Sequence, residues 1–211
     1  MKTLVLTPMK PNMSSPLRQR CLEQTQRLKA AFPDKVEIVM DGRGPGDFHI
    51  HSLVQRAEHM ASLRQNFITC HLRPEHTHVL CADADVFYEP DIMEKLWQYP
   101  NDIIAPMVLM EDTANYYDIA GFVEEGRWAN VSLPYFKQTG PVIELDSVGA
   151  FYMVPANVFR LGAYYYPTPG YTEHYSVCGF AKRNGWKVLC DTRLVVYHAC
   201  LEKYRERTHE V

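Results

Sequence analysis

Apolar positions along the first hundred residues follow two alternating periods. Residues 4–7 are a short apolar run closed by Pro8, and Ser14, Ser15 and Pro16 then give a cap-then-proline start for a helix over 17–32. Residues 36–40 form a second run closing on Asp41, and Gly42, Gly44, Pro45 and Gly46 make the next segment a loop. Leu53, Ala57, Met60 and Phe67 recur at helical spacing, which predicts a helix over 52–70. His78 to Ala82 is a third run, ending on Asp83, and a helix is expected over 90–99. Uniformly apolar strands that alternate with helices predict an α/β fold whose mostly parallel sheet is covered by helices on both faces. The second half is less regular. Residues 103–105, 142–145 and 148–154 read as strands between loops rich in Tyr, Pro and Gly, followed by a helix over 175–184 and strands over 187–190 and 194–197. No repeat or linker interrupts the pattern, so the 211 residues are expected to form one domain.

Composition narrows the function classes. The 22 Lys and Arg against 25 Asp and Glu give a net charge of −3, which argues against the broadly basic surface of a non-specific nucleic-acid binder. No apolar run approaches the ~18 residues of a membrane span, and the apolar start is too short for the core of a secretion signal. The six cysteines are scattered without a CxxC pair and sit mostly among apolar neighbours, so reduced core thiols and a cytoplasmic location are expected.

Open α/β sheets bind ligands at the carboxyl ends of their strands, and Thr7, Asp41 and Asp83 all fall there. Each also has a plainer role as a turn former. The stretch Asp83-Ala84-Asp85 is more pointed, because it places two carboxylates two residues apart immediately after a buried strand. Hard oxygen ligands on one face suit Mn²⁺ or Mg²⁺, ions that complete their shell with water and substrate phosphate. Three classes remain compatible. One is a GT-A glycosyltransferase, in which the metal stabilises a nucleotide leaving group. Another is a haloacid-dehalogenase-type phosphohydrolase with an aspartate nucleophile, which needs a downstream Lys and acidic pair that the chain does not convincingly supply. The last is a non-catalytic nucleotide-sugar binder.

Four colinear stretches carry a family likeness: residues 4–10; Arg64-Gln65-Asn66-Phe67 leading into 78–86; residues 102–106; and 144–150 running on to Tyr197-His198. Through them the sequence resembles the fungal Golgi mannan-polymerase α-mannosyltransferases, metal-dependent GT-A enzymes that use GDP-mannose. The resemblance implies that Thr7 and Pro8 contact the nucleotide, that Asp41 reads base or ribose, and that Arg64 approaches the nucleotide. It implies that Asp83 and Asp85 hold metal and diphosphate, with His198 completing the metal shell. Residues 1–100 would then form the nucleotide-binding half and 101–211 the half that meets sugar and acceptor.

Glu173 opens the predicted second-half helix, where a carboxylate is favoured by the helix dipole alone. By resemblance it faces the acceptor hydroxyl, and Asp146 and Gly149 are candidates for sugar contacts. The family retains anomeric configuration, so such a carboxylate would orient the acceptor or stabilise positive charge at the anomeric carbon. The chain departs from the family at Thr172-Glu173-His174, and it has Ser147-Val148-Gly149-Ala150 where the family has a double glycine. Both changes fall on the sugar and acceptor side, so a UDP-sugar competes with GDP-mannose as donor. Of Tyr116, Tyr117, Trp128, Tyr135, Tyr164, Tyr165, Tyr166 and Tyr171, most are expected to pack in the core or at its edges, and the remainder offer stacking faces for an acceptor. Arg127, Lys137, Lys203, Arg205 and Arg207 offer cations for a phosphate-bearing one. The Golgi relatives carry a membrane anchor that this chain lacks, so the expected setting is a bacterial or viral cytoplasm. The acceptor there would be a glycan or a hydroxymethylated DNA base.

Overall fold

The computed structural model describes residues 1–9, 13–41, 53–117, 123–124, 127–128, 140–167 and 172–199. The expected glycine loop at 42–46, Tyr135, Lys137, Tyr171 and the basic tail lie outside them, as do the side chains of Asp41, Arg127 and Trp128.

The first half follows its hydrophobic pattern. Strand β1 (Thr3–Pro8) leads to helix α1 (Ser15–Ala31), β2 (Val36–Asp41), α2 (Leu53–His71) and β3 (His78–Ala82). Strands β2, β1 and β3 pair in parallel in that order, with Thr7 beside Met40 and Pro8 beside Asp41. Pro16 pre-forms the first turn of α1, but Ser14 makes no side-chain cap, and its hydroxyl is buried without a partner.

Beyond β3 the chain turns back as the two-residue strand β4 (Val86–Phe87), passes the short helix α3 (Ile92–Leu96) and enters β5 (Ile103–Met110). A small hairpin, β6 (Val123–Glu124) with β7 (Arg127–Trp128), stands apart from the main sheet. Strands β8 (Val142–Glu144) and β9 (Phe151–Pro155), helices α4 (Ala156–Arg160) and α5 (Glu173–Arg183), and strand β10 (Val188–His198) complete the described elements. The main sheet runs β2-β1-β3-β9-β5-β10-β4, with β8 also on β10. Strands β1, β2, β3, β5 and β10 point one way; β4, β8 and β9 run against them. Apolar clusters fill the space on the two faces of the sheet.

Two differences from the expected pattern have physical causes. The strands expected at 187–190 and 194–197 are one strand, β10, whose register on β5 slips between Asp191 and Val195. The polar interruption survives because the buried Asp191 carboxylate accepts bonds from the Arg193 backbone and guanidinium and from the Tyr99 hydroxyl. The strand expected over 148–154 starts only at Phe151, because Ala150 takes a left-handed φ of 55° and the Phe151 N–H bonds back to the Gly149 carbonyl at 2.5 Å. Among the described cysteines, Cys21, Cys81, Cys178 and Cys190 are buried thiols outside any disulfide, as expected, whereas Cys70 is exposed. No helix of the described residues is long and apolar enough to cross a membrane.

Candidate functional site

The site begins where β3 ends. Asp83 to Val86 form a tight turn, with the Val86 N–H on the Asp83 carbonyl at 3.0 Å, and the chain returns as β4. Strand β4 lies antiparallel to the end of β10, with Val86 opposite His198, and the Ala199 N–H reaches the Asp85 carbonyl at 2.8 Å. These backbone bonds bring together Asp85 and His198, 113 positions apart in sequence. The His198 Nε2 lies 3.5 Å from Asp85 Oδ1, and both side chains are nearly buried.

The chemistry of this pair is set by the other side of the ring. His198 Nδ1 stands 3.0 Å from the Ala199 carbonyl, which can only accept, so Nδ1 must carry the proton. In a neutral ring Nε2 then presents a lone pair to a carboxylate. A neutral ring and a carboxylate so placed can share a cation, whereas a protonated ring would pair with the carboxylate directly. The Tyr117 ring stacks on the imidazole at 3.8 Å and 12°, which holds its plane. An oxygen and an imidazole nitrogen left in this state form a donor set that fits Mn²⁺, with Asp83 two residues away as a second carboxylate. Asp83 itself is engaged elsewhere, and among the described residues no three His, Cys, Asp or Glu side chains already converge as a metal cage.

Asp83 belongs to a second cluster. Arg64 projects from α2 with 1% of its side chain exposed, and its Nη2 donates to Asp83 Oδ1 at 2.5 Å while Nε donates to Glu173 Oε1 at 3.1 Å. The side chain expected to approach a nucleotide bridges the carboxylate after β3 to the first residue of α5. Its Nη1 is buried without a partner. Glu173 Oε1 also lies 3.3 Å from His174 Nε2, and His174 Nδ1 is 2.8 Å from the Tyr152 hydroxyl. Beyond it, Tyr152 meets the Tyr165 hydroxyl at 2.7 Å, and Tyr165 meets Cys81 Sγ at 3.1 Å.

Electrostatics follow this wiring. Burial pushes the Asp83 carboxyl up, but Arg64, His174 and His198 together outweigh it and hold it below the usual carboxylate range. Glu173 is also pushed up by burial and pulled below its ordinary value by His174 and Arg64. Burial lowers His174 more than Glu173 raises it, so the imidazole is neutral near pH 7. Burial drives both tyrosine hydroxyls well above their usual range, so they stay protonated.

The remaining candidates fall around this centre or apart from it. Thr7 is buried at the end of β1 and its hydroxyl has no partner, and Pro8 stands beside Asp41 across β1 and β2. Gly149 is buried just before Ala150, whose carbonyl accepts the Asp83 N–H at 2.8 Å. Asp146 instead pairs with Lys182 of α5 at 2.6 Å. Among the aromatics, Tyr164 and Tyr166 are exposed, whereas Tyr116 and Tyr165 are buried. The sequence reading gave no role to His174, Tyr152 or Cys81; only the Thr172-Glu173-His174 departure flagged one of them.

The sequence matches the Anp1 family model over residues 48–133, the segment that holds Arg64, Asp83 and Asp85. No curated protein matches the sequence. The structure is similar to that of S. aureus TarS 1-349, with TM-score 0.56 and 12% identity, covering 98% of this chain and 63% of that one. It is similar to GalNAc-T7 solved with UDP, GalNAc and Mn²⁺, with TM-score 0.55 and 13% identity over 94% and 43% of the two chains. A third likeness, to a glycosyltransferase involved in the glycosylation of the major capsid of PBCV-1, has TM-score 0.51 and 11% identity over 99% and 100%. This chain therefore spans less than two thirds of the first two. The fold is that of the GT-A glycosyltransferases, and the sequence resembles the Anp1 mannosyltransferase family across the segment that carries the Asp83-Ala84-Asp85 turn.

Proposed function

We propose that this chain is a metal-dependent glycosyltransferase that moves a sugar from a nucleotide-diphosphate donor to a hydroxyl acceptor. The observation that carries the reading is the Asp85–His198 pair, a carboxylate oxygen and an imidazole nitrogen 3.5 Å apart at the carboxyl end of the sheet, with Nδ1 turned to the Ala199 carbonyl. Asp85 and His198, with Asp83, are the residues that would hold Mn²⁺ or Mg²⁺. A divalent ion there supplies positive charge for the diphosphate as it leaves. Mn²⁺ is the better match, because an imidazole ligand suits it more than Mg²⁺.

Thr7, Pro8 and Asp41 line the β1–β2 edge and are assigned to the nucleotide, as the GT-A fold places a donor at the ends of these strands. GDP-mannose is the first donor to test on the Anp1 likeness, and UDP-sugars the second, since the similar GalNAc-T7 structure holds UDP. Gly149 and Asp146, which flank the turn into β9, are assigned to the sugar side. Glu173 is assigned to the acceptor hydroxyl. With Arg64 and His174 both on Oε1 and its carboxyl below the usual range, it is a poor general base and a good hydrogen-bond acceptor, which favours transfer with retention. The acceptor is taken to be a glycan hydroxyl read by the second-half loops, and the cytoplasm remains the proposed location.

The test is release of GDP or UDP from the corresponding sugar nucleotides, followed by chromatography with Mn²⁺ or with EDTA. Metal-dependent release that rises with a glycan acceptor supports the reading. Release of inorganic phosphate from simple phosphate esters, with no sugar-nucleotide turnover, would replace it with a phosphohydrolase.

A further inference from the structure

The buried polar chain behind Glu173 has a direction. Glu173 is a carboxylate and can only accept, so a proton on His174 Nε2, 3.3 Å away, is favoured over a lone pair. Nδ1 of the neutral ring is then an acceptor, and it takes the Tyr152 O–H at 2.8 Å. The Tyr152 oxygen is left to accept the Tyr165 O–H at 2.7 Å, and the Tyr165 oxygen to accept the Cys81 S–H at 3.1 Å. Each donor has one acceptor, and every donor dipole points along the chain toward Glu173 Oε1. Arg64 Nε donates to the same oxygen, while its Nη2 holds Asp83.

A proton wire would need an outlet to water. This chain ends at Cys81, which is 1% exposed, and passes through Tyr152 and Tyr165, which are 0% and 1% exposed. A dead end cannot deliver or remove protons. Aligned donors in a buried setting do something else: they polarise one another and fix the groups at their end.

We propose that Tyr152, His174 and Arg64 are positioning residues that lock the Glu173 carboxylate against α2 and β9, so that its rotamer and the place of Asp83 are set together. The role rests on the transferase reading, in which Asp83 serves the donor side and Glu173 the acceptor side. One guanidinium shared between them couples the two halves of the reaction. His174 is the pivot of the chain, because its ring translates a hydroxyl 2.8 Å from Nδ1 into an N–H facing the carboxylate.

The test joins a spectroscopic readout to a kinetic one. In long-range ¹H–¹⁵N spectra of the ¹⁵N-labelled full chain between pH 6 and 8, the His174 signals, assigned by their loss in His174→Gln, should show protonated Nε2 and unprotonated Nδ1. In Tyr152→Phe the Nδ1 signal should move toward that of an unbonded nitrogen. A protonated Nδ1 in the wild type, or no movement in Tyr152→Phe, overturns the proposed direction. In turnover assays with GDP-mannose or the UDP-sugar that proves active, Tyr152→Phe should lower kcat about 10-fold while leaving the donor KM within about 2-fold. An unchanged kcat, or a kcat loss that merely tracks a lower Tm, overturns the positioning role. If the spectra show the proposed tautomer but the wild type turns over no sugar nucleotide, the chain stands and the transferase reading is what fails.

Discussion

Two histidine–carboxylate pairs lie near enough to Asp83 for both imidazoles to act on it, and they are wired differently. In one, His174 has a hydroxyl behind Nδ1, which can donate, so its Nε2 offers a proton to Glu173 and the pair is complete. In the other, His198 has a carbonyl behind Nδ1, which can only accept, so a neutral ring turns a lone pair toward Asp85, the arrangement from which the proposed metal role is argued. The same two residue types thus give a finished structural joint in one place and the proposed ion seat in the other. What separates them is one atom on the far side of each ring.

If that contrast holds, breaking the finished joint should cost stability, and breaking the open one should cost activity. Arg64→Met removes a guanidinium that is 1% exposed and strands two carboxylates, so urea denaturation should show a loss of about 3–5 kcal/mol. Asp85→Ala should leave the turn intact, because the Asp83 main-chain carbonyl closes it and the Asp85 main-chain carbonyl ties it to Ala199. Its expected cost is roughly 100- to 1000-fold in metal-dependent turnover, with the melting temperature of the metal-free protein nearly unchanged. A large drop in that temperature would mean that Asp85 and His198 form a structural pair after all.

Acid sharpens the comparison. Asp83 and Glu173 are held below their unfolded values in the native state, and those unfolded values lie near 4. Their stabilisation is therefore fully present above about pH 4 and is lost as pH falls through the lower folded values. Urea midpoints measured downward from pH 6 should decline below about pH 4 in the wild type. In Arg64→Met the decline should be shallower, because the positive charge that favours both ionised forms is gone.

The smallest effect concerns the strand that carries Tyr152. Ala150 holds a left-handed φ of 55° so that its carbonyl can take the Asp83 N–H. A non-glycine residue there costs about 1–2 kcal/mol, partly offset by the extra chain entropy that a glycine loses on folding. Ala150→Gly should raise stability by about 0.5–1 kcal/mol in thermal unfolding, with turnover preserved. No gain would mean that the turn relaxes in solution.

These contrasts also mark what could be read from the sequence. The β1, β2 and β3 runs and the helices between them are local patterns, and the structure reproduces them almost to the residue. Thr7, Asp41 and Asp83 at strand ends followed directly from those runs. The wiring of Arg64 to Glu173 did not, since the two residues stand 109 positions apart and nothing in the local pattern marks an inward-facing arginine. Strand β4 is two residues long and β9 starts late because of one left-handed alanine, so neither has a periodicity to detect. The tautomers of His174 and His198 depend on a tyrosine 22 positions away and on a neighbouring carbonyl, which only the folded chain brings into place.

The most direct test of the ion seat is a thermal shift titration with GDP and UDP, each with Mn²⁺ and with EDTA, on the wild type and Asp85→Ala. A nucleotide at about 100 times its dissociation constant adds about 2.7 kcal/mol, which for a chain of this size corresponds to roughly 5–10 °C. That shift is expected for one nucleotide only when Mn²⁺ is present, and it should vanish in Asp85→Ala. A shift of the same size in EDTA, or one that survives Asp85→Ala, would contradict the assignment of Asp85 and His198 to the metal.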